Sequence, residues 1–174
     1  HGVEPFWLDQ IDGRPAFEAY SEIILAEYGV RVTNENFYQY AAHFPFGLVN
    51  TLDVLVRIPV ALTPEGALHC VGEIPPNSML RLLRAPALDE STCVDVLAAA
   101  LAPTATLGAQ PMLTFYCAGR RMHFGAEMAS RELAELARRT SPAGLMGALT
   151  LGEIDCDDDL GMPRFHNATV VCVR

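Results

Sequence analysis

Lysine is missing from the 174-residue sequence, and all 12 of its basic residues are arginine. Schiff-base chemistry, a P-loop lysine and lysine general bases are thereby excluded. Positive charge as a whole is scarce, because 21 acidic residues against those 12 leave a net charge of −9. Such a balance opposes binding to the phosphates of nucleic acid and to anionic membrane surfaces, so neither is expected as a partner. No stretch approaches the roughly 18 consecutive apolar residues of a membrane span, and the N-terminus lacks the basic-then-apolar pattern of a secretory signal. The five cysteines, Cys70, Cys93, Cys117, Cys156 and Cys172, contain no CxxC pair and no zinc-ribbon spacing. An odd number of widely spaced thiols fits a reducing compartment, and a cytoplasmic location is expected. The G-x-S-x-G elbow and the glycine-rich nucleotide fingerprints are missing as well. The first residue is His1 rather than methionine, so the chain is expected to be a segment of a longer protein.

What remains is apolar, at 51% of residues, enough to fill one compact core. Pro15 suits the first position of a helix carrying Phe17, Tyr20, Ile24 and Tyr28 at helical spacing, with Gly29 placed to end it. Asn34 is positioned to cap a second helix over Asn36 to His43, stopped by Pro45. From Asp53 the pattern becomes that of strands: Val54 to Ala61, Ala67 to Gly72 and Met79 to Leu83, separated by turns and read as an antiparallel meander. Thr92 with Asp95 has the spacing of a capping box, opening a helix toward Pro103. Met112 to Cys117 reads as a buried strand. Glu127 to Arg139 reads as a helix with i,i+4 pairs Glu127–Arg131 and Glu135–Arg139. Leu145 to Leu151 and Ala168 to Val173 read as the last strands. This order predicts a single α+β domain in which helices cover a mainly antiparallel sheet.

Three segments combine glycine with charged or amide residues at strand ends: Cys117 to Arg121, Gly152 to Ile154, and Arg164 to Thr169. A hairpin of the last two strands would bring Glu153 near His166 and Asn167. A parallel connection from Met112–Cys117 to Leu145–Leu151 would add Arg120 at the same end. The converging set would suit a zwitterion, with Arg120 bidentate to a carboxylate and Glu153 accepting from an ammonium group. The bland alternative is a structural ion pair between Arg120 and Glu153, with Asn167 bonded to a turn. The run Asp155 to Gly161 imitates the start of a calcium loop, yet has Leu160 where the turn needs glycine and His166 where a bidentate glutamate belongs, and it reads as a solvated acidic loop. No metal site is expected. Cys117 precedes two arginines and has His123 six residues away, the ingredients of a reactive thiol, although its strand neighbours read as core.

The same segments, taken in order with Ile11-Asp12-Gly13, Phe44-Pro45-Phe46-Gly47-Leu48 and Gly72-Glu73-Ile74-Pro75, resemble the C-terminal domain of the FIST family, named for F-box and intracellular signal transduction proteins. The resemblance covers nearly all of residues 1–174. Its sharpest parts are Cys117-Ala118-Gly119-Arg120, Gly152-Glu153-Ile154 and His166-Asn167-Ala168-Thr169. It implies a sensory, ligand-binding module for a small polar metabolite such as an amino acid. The ligand-binding residues are then expected to be Gly119, Arg120, Gly152, Glu153, His166, Asn167 and Thr169, with no catalytic residue. The implied partners are the N-terminal FIST domain or a signalling output domain. No cofactor is expected, although some bacterial members are associated with haem and nitric oxide sensing, which would give His43 or His166 the role of axial ligand. The other rivals are a protein-interaction module and an enzyme using the Cys117 thiol. Ala168 stands where a glutamine is common in the family, a change that bears on ligand choice.

Overall fold

The computed structural model describes residues 6–50, 53–101, 111–141, 143–156 and 163–173. It is α+β, and among the described residues the strand pairings are antiparallel in every case but one. Among the described residues the strands form five small sheets rather than one. The chain divides into two compact units, residues 1–85 and 86–174.

The first unit opens with three two-residue strands, β1 (Trp7–Leu8), β2 (Gln10–Ile11) and β3 (Arg14–Pro15). Helix α1 (Ala16–Tyr28) follows the fixed φ of Pro15 and ends where Gly29 enters the left-handed region at φ 68°. Helix α2 is a single turn, Phe37–Tyr40, shorter than the expected 36–43. Asn36 rather than Asn34 stands before it, and its side chain accepts from the Thr33 N–H instead of capping the helix. Strands β4 (Phe46–Val49), β5 (Val54–Arg57), β6 (Pro59–Leu62), β7 (Leu68–Cys70) and β8 (Leu80–Leu82) complete the unit. The expected strand over 54–61 is two strands in two sheets, because Ile58 breaks it: β5 and β8 flank β4, whereas β6 and β1 flank β7. The meander is corrected accordingly, since β8 pairs with β4 and not with β7. Tyr20, Ile24, Phe37 and Leu68 have no exposure and form the centre of this core. The Tyr20 hydroxyl donates to the Phe44 carbonyl at 3.0 Å, so the one polar atom of that ring is satisfied where it is buried.

The second unit contains a 3-10 turn at Leu88–Glu90, helix α3 (Cys93–Ala100), strand β9 (Met112–Cys117), helix α4 (Ala118–Thr140) and strands β10 (Leu145–Thr150), β11 (Glu153–Asp155), β12 (Arg164–His166) and β13 (Val170–Val173). Strand β9 is central, with β10 parallel on one side and β13 antiparallel on the other. The parallel pair needs a crossover, and α4 supplies it. Met112, Thr114 and Tyr116 alternate inward from β9, and Met112 and Tyr116 form the core of this unit with Ala129, Leu136 and Val170. Helix α4 starts earlier than the expected 127–139 and is broken at Gly125, whose φ of 77° and ψ of 167° suit only glycine.

Candidate functional site

The register of the β10-β9-β13 sheet fixes which chain ends meet. Thr150 is opposite Cys117, and Val170 is opposite Tyr116, so β9 and β10 finish where β13 begins. The hairpin expected between the last two long strands does not form, because β9 lies between them. The hairpin that does form is β11–β12, which sets Glu153 directly opposite His166. Two backbone contacts tie the segments together. The Cys117 N–H donates to the Thr169 carbonyl at 3.1 Å, and the Ala168 N–H donates to Cys117 Sγ at 3.2 Å. Ala168 has a positive φ of 59°, which turns the chain from β12 into β13 at this point.

Arg120 lies in the first turn of α4, and its partner is Glu132, not Glu153. Nε donates to Glu132 Oε2 at 2.8 Å and Nη2 to Oε1 at 2.5 Å. Nη2 also donates to Ser91 Oγ at 2.9 Å, and Nη1 to the Ala168 carbonyl at 3.3 Å. The guanidinium lies 4.9 Å from the Phe124 ring centroid. The Tyr116 hydroxyl donates to Glu132 Oε2 at 2.6 Å, so the carboxylate receives three hydrogen bonds. The pair is deeply buried, with side-chain exposures of 11% for Arg120 and 2% for Glu132. Burial alone lowers the Arg120 pKa, but Glu132, through its hydrogen bonds and charge, with Cys93 and Tyr116, holds it above the ordinary value. Burial, followed by the hydrogen bond to Glu132, raises that of Tyr116.

Sequence reading missed Glu132 for a geometric reason. Along an unbroken helix, residues twelve apart are separated by about 18 Å, beyond the combined reach of the two side chains. The break at Gly125 removes that separation. One signal was available: the buried positions Ala129, Glu132, Leu136 and Thr140 recur at helical spacing, and Glu132 is the charge in that stripe. The expected surface pairs also differ, because Glu135 binds Arg138, and Arg139 binds Asp95 of α3.

Glu153 is 3% exposed. Its Oε1 accepts from the Thr150 hydroxyl, and burial raises its pKa against the opposing effects of Thr150, Cys117 and the Thr169 N–H. Among the described residues, Oε2 of Glu153 and Nε2 of His166 are buried side-chain atoms with no hydrogen-bond partner. Asn167 is buried and donates from Nδ2 to the His166 carbonyl at 3.1 Å, while Thr169 Oγ1 donates to the Asn167 carbonyl at 3.1 Å. Gly152 lies under Phe165, whose ring would be 2.0 Å from a Cβ at that position. Gly119 opens α4 behind Cys117, and its N–H opposes the rise in the thiol pKa. Burial nonetheless pushes the Cys117 pKa up, with the Glu153 charge adding to the rise. A nucleophilic thiolate needs the opposite shift. His123, the histidine nearest to it in sequence, bonds the Pro86 carbonyl at 2.7 Å.

The second unit has a cleft of about 540 Å³ lined by Ser91, Asp95, Glu132 and Arg138, and another of about 420 Å³ lined by Tyr116, Leu133 and Leu145 to Leu149. The first unit has one of about 650 Å³ lined by Trp7 to Gly13 and Ile74 to Leu80. None of these three is lined by His43 or His166. His166 is paired across the hairpin with a buried carboxyl group rather than with an apolar wall. Asp157 and Asp159 of the acidic loop lie outside the described residues.

A family model described as the FIST C domain matches residues 16–155. That span includes Cys117 to Arg121, Glu132 and Gly152 to Asp155, and stops before His166, Asn167 and Thr169. No curated protein and no solved structure matches the chain.

Proposed function

The chain belongs to the FIST C domain family, which is associated with sensory domains of signal transduction, and from that premise we propose that it is the small-ligand-binding part of an intracellular signalling protein. The observation that supports this reading is the meeting of three remote segments at one strand end, with a buried carboxyl group and a half-buried histidine, whose Oε2 and Nε2 atoms are buried and lack partners among the described residues. Buried polar atoms without partners are rare in folded proteins, and a small polar metabolite such as an amino acid is the kind of occupant that completes them. In this reading Glu153, His166, Asn167 and Thr169 face the ligand, with Gly119 and Gly152 permitting close approach. Arg120 supports them from behind by holding the Ala168 carbonyl. A partner domain, either the N-terminal FIST half or an output domain, receives the signal.

A thermal-shift screen of amino acids, small amines and organic acids tests the proposal. A stabilising compound whose effect disappears in Glu153→Gln and Asn167→Ala supports it. Hits that keep their full effect in both variants place the site elsewhere.

A second reading has its own observation. Among the described residues strand β10 is an edge strand, and Met146 and Leu149 on it are more than half exposed, as are Leu151 and Ile154 just beyond it. Exposed apolar edges pair with other chains. This edge is proposed as the contact with the partner domain, and loss of that association in Met146→Glu with Leu149→Glu would support the assignment.

A further inference from the structure

The chemical class of the ligand follows from which polar atoms at the strand end are already engaged. The Arg120 fork is bound to Glu132, and its outer nitrogens bind Ser91 and the Ala168 carbonyl. Cys117 Sγ accepts from the Ala168 N–H, and Asn167 and Thr169 donate to backbone carbonyls. Glu153 Oε1 is taken by Thr150. Oε2 of Glu153 and Nε2 of His166 are, among the described residues, buried acceptor-capable atoms of this strand end with no hydrogen-bond partner.

These two atoms belong to directly opposed residues of the β11–β12 hairpin. Directly opposed side chains leave a hairpin on the same face, with Cβ atoms about 5 Å apart. An ionised carboxylate oxygen only accepts hydrogen bonds, and a neutral imidazole nitrogen accepts when the proton sits on the other ring nitrogen. Both open valences are thus met by one donor group. Leaving a charged acceptor buried and unpaired is costlier than leaving a neutral one, so the group that gains most carries a positive charge together with several N–H donors. A ligand carboxylate would meet the opposite situation: it would approach the Glu153 carboxyl group, and the Arg120 guanidinium is already paired with Glu132.

Building on the ligand-site reading above, we propose that Glu153 and His166 together receive the protonated primary-amine end of a small metabolite, and that Arg120 does not hold a ligand carboxylate. The site then selects amines over anions, and a zwitterionic amino acid gains nothing from its carboxylate here.

The test is calorimetric titration of the whole chain with ethylammonium, acetate and glycine, each against wild type, Glu153→Gln and His166→Gln. Circular dichroism of each variant establishes that it is folded. Ethylammonium is expected to bind wild type, glycine to bind no more tightly than ethylammonium, and acetate not to bind. Glu153→Gln should weaken ethylammonium by about 10- to 100-fold, the range for a lost hydrogen bond to a charged group. His166→Gln, at a half-buried position, gives the second measurement should Glu153→Gln fail to fold, and a weakening there is expected too. Acetate binding with ethylammonium inactive would overturn the amine assignment and leave the ligand-site reading intact. Ethylammonium binding that is unchanged in both variants would overturn the assignment of these two residues. Binding of none of the three probes would overturn the amine proposal, and if the broad metabolite screen is also silent the ligand-site reading falls separately.

Discussion

Removing one partner of the buried Arg120–Glu132 pair should cost far more than removing both. Glu132→Leu leaves the guanidinium with only Ser91 Oγ and the Ala168 carbonyl, and leaves the Tyr116 hydroxyl without its acceptor. Arg120→Met leaves the carboxylate, with 2% side-chain exposure, dependent on Tyr116 alone. Each single substitution strands a charge in the interior and should destabilise the second unit by about 3–5 kcal/mol. The double variant Arg120→Met with Glu132→Leu strands none. Its main loss is the acceptor for Tyr116, about 1–3 kcal/mol, well below the sum of the singles. The only tryptophan, Trp7, belongs to the first unit, so its fluorescence is the wrong probe. Urea-dependent amide exchange of peptides covering Met112–Cys117 reports the correct unit. Two singles that each cost under about 1 kcal/mol, as exposed pairs do, or a double equal to their sum, would refute this reasoning.

The Glu153 carboxyl, raised by burial, binds its proton more tightly in the folded state than in the unfolded chain. Native protein therefore carries the extra proton from about pH 4.3 up to the raised value, and stability should fall as pH rises through that window. Glu153→Gln should remove this part of the pH slope in urea midpoints, and an unchanged slope would count against it. Gly147→Ala should cost about 3 kcal/mol or more, because a Cβ there would come 1.7 Å from the Thr114 backbone oxygen, whereas Gly152→Ala displaces the Phe165 ring and should cost about 1–3 kcal/mol. Denaturant unfolding gives the order, and the reverse order would contradict it. With iodoacetamide on native protein, exposed Cys156 should alkylate first, while Cys117 and Cys70, the latter's pKa pushed up to about 12 by burial, should react only on unfolding. Peptide mass spectrometry reads the sequence of events, and early Cys117 labelling would revive a thiol-based activity.

Local signals carried as far as local forces decide. Pro15 and Gly29 bracket α1 because a fixed φ and a left-handed φ act on single residues, and Met112–Cys117 was legible because its apolar run has strand length. The break at Ile58 had one sequence signal, Pro59, which cannot donate to a ladder, but nothing in Val54 to Ala61 shows that its two halves pair with different neighbours. The β11–β12 hairpin was hidden for a related reason: three-residue strands across a long acidic loop leave no alternation to read. At the strand end, the convergence of Cys117, Glu153 and His166 followed from strand direction alone and arrived by a different pairing than expected. Arg120 found Glu132 only because Gly125 breaks the helix between them, and a tertiary bend of that kind has no periodic trace.

Hydrogen–deuterium exchange of the whole chain, with and without a pooled mixture of amines and amino acids, tests most directly whether one ligand occupies the strand end. Protection gained together in peptides covering residues 117–120, 152–154 and 166–169 is the expected result. Protection confined to 7–13 and 74–80, around the cleft of the first unit, with no change in the other three peptides, would contradict it.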